Sequence, residues 1–192
     1  MKNLLTGLTV LFILANSSLT QADTKVYFSP NGGCQDAVIQ EISKAQRTIV
    51  VAMYNLTARE ISQELIKAKA RGVQIRVFLD RGEGNGRYSK GRYLMNKGID
   101  VRFYTGIGLM HHKFAVIDNR ALITGSFNWT AAAERENQDN LMIITDENVV
   151  KQYAQRFEKL WAGPQDKSAS NGPFNVRVSG DVTVGTVNRK GF

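Results

Sequence analysis

Apolar residues along this chain fall into two alternating kinds of pattern, short β-branched runs and longer stretches in which they recur every three or four positions. The first kind covers Lys25–Phe28, Thr48–Tyr54, Val73–Leu79, Asp100–Tyr104, Phe114–Ile117, Ala121–Thr124 and Asn140–Thr145, and predicts strands. The second predicts helices over Gln35–Gln46 (Ala37, Val38, Ile42, Ala45), Ala58–Ala70 (Ile61, Leu65, Ile66, Ala68) and Asp146–Trp161 (Val149, Val150, Tyr153, Phe157, Leu160, Trp161). Gly72 and Gly163-Pro164 are the stop signals of the last two. A short helix is also expected over Thr130–Glu136 and another ending at Tyr93–Asn96. Strands alternating with helices point to the α/β class: a mixed β-sheet flanked by helices on both faces, in one domain.

Within this rhythm, Asp118-Asn119-Arg120 is a polar break between two strands and reads as a turn. The segment Asp80–Arg92 is rich in glycine and carries Arg81, Arg87 and Lys90, which reads as a mobile basic loop. Such a loop can track a nucleic-acid backbone or be an ordinary solvated surface, and the sequence weighs the two equally. Residues 164–192 change character, from a linker-like start to alternating Val and polar residues over Asn175–Asn188, and form a C-terminal extension of unassigned role. The domain itself is expected over residues 23–163.

Lys2 followed by the apolar run Leu4–Ala15 and the small-x-small pattern Thr20-Gln21-Ala22 reads as a secretory signal peptide over residues 1–22. The run is short for a bilayer span, so the mature protein is expected in the periplasm or outside the cell, with no stable membrane insertion after cleavage; a short anchor that stays uncleaved is the alternative. Cleavage removes Lys2 as its only charged residue and leaves +7 of the formal +8. That excess favours a polyanionic partner, nucleic acid or an anionic membrane surface. Cys34 is the single cysteine, which excludes an internal disulfide and leaves it as a small packing residue. Two histidines and one cysteine make no zinc-type ligand set, and no metal is assigned.

The chemistry concentrates between Met110 and Asn128. At strand period His111 and Lys113 share a face while His112 points to the other, and Ser126 and Asn128 are again two apart. An imidazole, an ammonium, a hydroxyl and an amide around one point suit a phosphate. The spacing H-x-K-x4-D-x6-G-S-x-N, carried by His111, Lys113, Asp118, Gly125, Ser126 and Asn128, resembles the HKD signature of the phospholipase D superfamily. The short exported bacterial nucleases of that superfamily look most similar, and the likeness extends more weakly over Val26–Trp161.

The resemblance implies a phosphodiesterase that works without a metal or other cofactor. His111 attacks phosphorus to give a phosphohistidine, Lys113 and Asn128 hold the equatorial oxygens, and Ser126 adds a hydroxyl. It also implies a carboxylate behind the nucleophile, a position occupied here by Asp139 where relatives carry Glu. Asp118 belongs to the motif, but its odd offset from His111 favours a structural or ion-pairing role over proton transfer. In the superfamily two such motifs meet, one histidine attacking and the other protonating the leaving oxygen. A single copy in this chain implies a homodimer with a shared site. The substrate expected is DNA, with RNA left open, and Lys113, Ser126, Asn128, Arg81, Arg87 and Lys90 are the residues expected to bind it. A phospholipase acting on phosphatidyl esters is the alternative.

Overall fold

The structure, a computed structural model, describes residues 22–166. Most of the expected signal peptide and the alternating stretch Asn175–Asn188 lie outside the described residues. Eight strands form one sheet: β1 (Thr24–Phe28), β2 (Thr48–Met53), β3 (Gln74–Leu79), β4 (Asp100–Tyr104), β5 (Lys113–Ile117), β6 (Ala121–Gly125), β7 (Asn140–Ile144) and β8 (Gln165–Asp166). Their spatial order is β1-β7-β6-β5-β2-β3-β4-β8. The β2, β3 and β4 strands run parallel and the remaining pairs are antiparallel, so the sheet is mixed. Two residues past the expected domain limit at 163 thus still pair with the sheet, through β8.

Alternation along the strands divides the core between two faces. Ile49, Val51 and Met53 of β2 face one side with Ile61 and Leu65 of α2 (Arg59–Ala70) and with Val38 and Ile42 of α1 (Cys34–Ser43). Val50 and Ala52 face the other, against Val150, Phe157 and Trp161 of α6 (Glu147–Ala162). Each wholly buried side chain of the size of Phe157 contributes roughly 1.5–3 kcal/mol to holding a helix on the sheet. A buried guanidinium adds direction: Arg76 of β3 bonds Glu158 of α6 at 2.9 Å and lies 5.0 Å from the Phe157 ring centroid. Cys34 is wholly buried in the first core; burial, with Glu134 and Asp139 nearby, pushes its thiol up to about 11, so it packs and stays protonated. Among the described residues no helix is long and apolar enough to cross a membrane.

The Gly-rich segment departs from the expected mobile loop. It is organised into α3 (Arg81–Gly84) and the start of α4 (Gly91–Asn96). Asp80, itself buried, caps α3 by accepting from the Gly82 and Glu83 N–H groups. Gly84 and Gly91 are buried under Phe103 and Leu79, where a side-chain carbon would collide with them. These glycines serve close packing. The expected helix over 130–136 forms as α5 (Ala131–Arg135), capped by Thr130.

Register places the functional end. Met53 of β2 pairs with Lys113 of β5, Phe114 with Thr124 of β6, and Gly125 with Leu141 of β7. The end of β2, the start of β5, the end of β6 and the start of β7 therefore make one row across the middle of the sheet. Leu79 of β3 pairs with Met53 and continues the row, so Asp80 and the basic segment leave the sheet at this same end.

Candidate active site

His111 lies just before β5 with its side chain exposed, and its ring packs on Tyr54 at 4.6 Å between centroids. Tyr54 follows β2 directly, and its N–H donates to the His112 carbonyl at 2.8 Å, which extends the β2–β5 pairing past its last formal pair. Lys113, half-buried, sits with Nζ 4.8 Å from the centroid of the same tyrosine ring and donates to the His111 carbonyl at 3.0 Å. Burial pushes the Lys113 ammonium below the usual lysine value, and the Asp139 carboxylate opposes that shift. Burial, then the Glu83 and Asp80 charges, raise the Tyr54 phenol. Tyr54 thus links the two motif residues sharing a face; the sequence reading missed it because the link depends on the register between two strands.

Gly125 ends β6 with φ of 151°, and a side-chain carbon there would run into the Asn140 carbonyl oxygen. The glycine therefore lets β6 lie close on β7 while the next residue turns outward. Ser126 is held from three sides: its N–H donates to the Asn140 carbonyl at 3.0 Å, its hydroxyl accepts from the Asn140 N–H at 3.1 Å, and that hydroxyl donates to Asp139 Oδ1 at 2.7 Å. Asp139 is anchored in turn by Ser29, whose hydroxyl accepts the Asp139 N–H and whose N–H donates to the Asp139 carbonyl. The carboxylate thus bonds Ser126, while the His111 ring rests on Tyr54. The second oxygen, Asp139 Oδ2, is buried without a hydrogen-bond partner among the described residues. Asn128 Oδ1 is in the same condition, as is Asn55 Oδ1, whose amide nitrogen donates to Glu83 at 2.6 Å. Unpaired buried polar atoms are rare, and these three lie on segments that leave the sheet at one end, whereas Asp100 Oδ1, in the same condition, lies toward the other.

Asp118, the acidic residue of the motif, is not at this end. It follows β5 at the opposite edge, about 16 Å of strand from Lys113. Its carboxylate accepts from the N–H groups of Gln46 (2.9 Å), Arg47 (2.8 Å) and Thr48 (2.8 Å), pinning the start of β2. With φ of 54° for Asp118 and 51° for Asn119, the two residues form the centre of the β5–β6 hairpin turn that Asp and Asn favour. The structure thus places Asp118 among backbone donors at the far end of β5, apart from His111 and Lys113.

Of the basic segment, Arg81 and Arg87 are exposed and Lys90 is half-buried. Arg87 lies 5.8 Å over the Tyr88 ring, and the Lys90 N–H is fixed to the Leu56 carbonyl at 2.9 Å. Asp80 Oδ2 accepts the Met110 N–H at 3.0 Å, which ties this segment to the approach to His111. His112 faces away from His111, as strand parity requires. Its ring meets Phe114 edge-on at 5.5 Å, and its Nε2 lies 3.4 Å from Arg156 Nε. Burial, then the charges of Arg156, Lys113 and His111, lower its pKa. Beside both histidines is a cleft of about 290 Å³ whose other walls include Tyr104, Leu109, Met110 and Arg156. Among the described residues no group of three His, Cys, Asp or Glu side chains is placed to hold a metal.

Comparison with known proteins agrees with this arrangement. Residues 38–161 match the family described as cardiolipin synthase, PLD-like domain. The chain is 36% identical over 141 residues to a phospholipase D of Rickettsia conorii, covering 73% of this chain and 70% of that one. It is 36% identical over 118 residues to a mitochondrial cardiolipin hydrolase of Xenopus tropicalis, covering 62% and 56% respectively. The crystal structure of Nuc from Salmonella typhimurium, a phospholipase D family member, superposes with a TM-score of 0.72 at 30% identity, over 77% of this chain and all of that one. With its mixed sheet, its H-x-K strand and its GSxN corner, the chain belongs to the phospholipase D superfamily and is a phosphodiesterase of that superfamily.

Proposed function

We propose that the protein is a metal-independent nuclease that cleaves phosphodiester bonds in DNA, and in RNA as a second substrate, through a phosphohistidine at His111. The observation that carries this reading is the row of strand ends that gathers His111, Lys113 and the Ser126–Asp139 pair at one end of the sheet. His111 attacks phosphorus and the leaving oxygen departs with a proton; water then attacks the phosphohistidine and restores the imidazole. Lys113 supplies positive charge to the non-bridging oxygens, and Asn128 and Ser126 supply hydrogen-bonding groups. The unpartnered Asp139 Oδ2 is the acceptor for a ring N–H of His111, fixing its tautomer in the working enzyme.

The proton donor is the His111 of a second copy, in a homodimer with a shared site. Within one chain, His112 is turned toward Phe114 and Arg156 and is not placed for that role. Nucleic acid is favoured by the +8 formal charge and by the basic segment that leaves the sheet at the same end. Export to the periplasm or beyond fits such an enzyme. A lipid phosphodiesterase is the second reading, favoured by Ile107, wholly exposed, and Leu109, 64% exposed, next to the cleft. The relatives named phospholipase D and cardiolipin hydrolase fit it as well.

The test is an assay of the purified mature protein on plasmid DNA, RNA and phosphatidylglycerol vesicles, each with EDTA in excess. DNA cleavage that persists in EDTA and disappears in His111→Ala is the expected result. Hydrolysis of the lipid alone would establish the second reading, and loss of activity restored by Mg²⁺ would refute the metal-free mechanism.

A further inference from the structure

The cleft beside His111 contains a cation that the proposed chemistry does not use. Arg156 projects from α6, is exposed, and meets no carboxylate among the described residues. Its Nε and Nη2 both lie 3.4 Å from His112 Nε2. For Nε2 to accept a hydrogen bond from a guanidinium, the imidazole must be neutral and carry its own proton on Nδ1. The depressed pKa of His112 agrees with that state. A neutral ring thus holds one edge of the guanidinium, and the edge bearing Nη1 remains available. Planar, charged and oriented by a side chain from another element, this group is suited to grip phosphate oxygens.

The rest of the cleft describes what accompanies that phosphate. Tyr104 is tethered by its hydroxyl to the Ile107 carbonyl at 2.9 Å and packs edge-on against Phe78 at 6.2 Å, so its ring is a fixed wall. Leu109 and Met110 line another side, and His111 closes the end nearest the reaction. At about 290 Å³ the space suits one nucleotide unit better than a pair of acyl chains.

We infer that Arg156, oriented by His112, forms a subsite for the phosphate next to the scissile one in a polynucleotide strand, so that the enzyme reads two consecutive phosphates and not a single diester. This inference rests on the nucleic-acid reading proposed above and adds a specificity determinant to it. Arg156 binds; it does not touch the reacting atoms, and His112 is a positioning residue for it.

The experiment uses the full mature chain as the inactive His111→Ala variant, titrated with short single-stranded DNA by fluorescence anisotropy over a range of salt. Adding Arg156→Ala is expected to weaken binding by about tenfold, and to lower the slope of log K against log salt by about 0.7, one phosphate contact on a single strand. Arg156→Lys should keep the slope while losing part of the affinity, because it retains the charge without the planar fork. Oligonucleotides carrying one neutral methylphosphonate supply the second arm. Neutralising the flanking position should weaken the arginine-containing protein and have no further effect on Arg156→Ala. Equal affinity and slope in the two proteins, or methylphosphonate effects that simply add, would overturn the subsite while leaving the nuclease reading intact. Arg156→Ala lowering affinity for phosphatidylglycerol vesicles alone would assign the residue to a membrane surface and overturn it too. A protein that neither binds nor cleaves DNA would bring down both readings together.

Discussion

Asp118 offers the sharpest test of how motif residues divide between chemistry and architecture. Its carboxylate takes three backbone N–H groups from Gln46, Arg47 and Thr48 and holds the beginning of β2 against the β5–β6 turn. Charge-assisted hydrogen bonds contribute roughly 1.5–3 kcal/mol each when sheltered. The bonds to Gln46 and Arg47 are exposed, so water replaces most of them, and the Thr48 bond is the sheltered one. Asp118→Ala should therefore cost about 2–3 kcal/mol, including part of the penalty for alanine at positive φ. For a domain of this size that lowers Tm by about 5–10 °C. Asp118→Asn, which tolerates the turn and keeps two acceptor bonds, should cost about half as much.

The dependence on pH identifies the source. Burial by itself would raise the Asp118 pKa, but the bonds from Thr48, Gln46 and Arg47, with the Arg47 charge, outweigh it and leave the carboxyl below its usual 3.8. A carboxylate depressed in the folded state contributes stability above its unfolded pKa and loses it as pH falls through the folded value. The gap in urea unfolding between the wild type and Asp118→Ala should thus be full near neutral pH and narrow below pH 3.8 to the part that alanine at positive φ contributes. Turnover on a small phosphodiester at 25 °C should be the same in both. A variant with normal Tm and lost turnover would refute the structural assignment, and a stability gap indifferent to pH would refute its electrostatic origin.

Two further perturbations address the corner that carries Ser126. Ser126→Ala removes the hydroxyl bound to Asp139 and is expected to lower kcat about tenfold with a smaller change in KM; an unchanged kcat in single-turnover measurements would remove this pair from the mechanism. Gly125→Ala sets a side-chain carbon against the Asn140 carbonyl at φ of 151° and should cost about 2–3 kcal/mol in urea unfolding, with loss of turnover from the displaced serine. An unchanged midpoint would mean that β6 and β7 can separate without penalty.

Burial enforced most of what the sequence made legible. Asp100–Tyr104 is a strand at both predicted ends, and α6 turns Val150, Phe157 and Trp161 into the sheet as their spacing required. The failure at Asp80–Arg92 has a physical cause. Glycine marks both freedom and close approach, and only the position of Phe103, a residue distant in sequence, distinguishes the two at Gly84 and Gly91. Arg156 escaped notice for a related reason. Periodicity identifies the apolar face of α6, whereas the cleft is built from the flank of that helix and a loop that precedes β5.

At the site, the legible relationships were those contained within one strand. Parity alone separated His111 and Lys113 from His112, because a side chain two residues on returns to the same face. Neighbours across strands require the register, which no local spacing reveals: Tyr54 reaches His111 through the pairing of Met53 with Lys113. The far end of that same strand pair explains why an aspartate accompanies the motif at a fixed distance. Lys113 opens β5 and Asp118 follows its last residue, so the spacing between them is the length of the strand. The aspartate clamps the turn to Thr48 at the other end of the strand pair and adds stability to a register that the buried faces of β2 and β5 fix. An error of one residue in that register would turn the buried face of β5 to the wrong side, so the same constraint that protects the core positions the catalytic end.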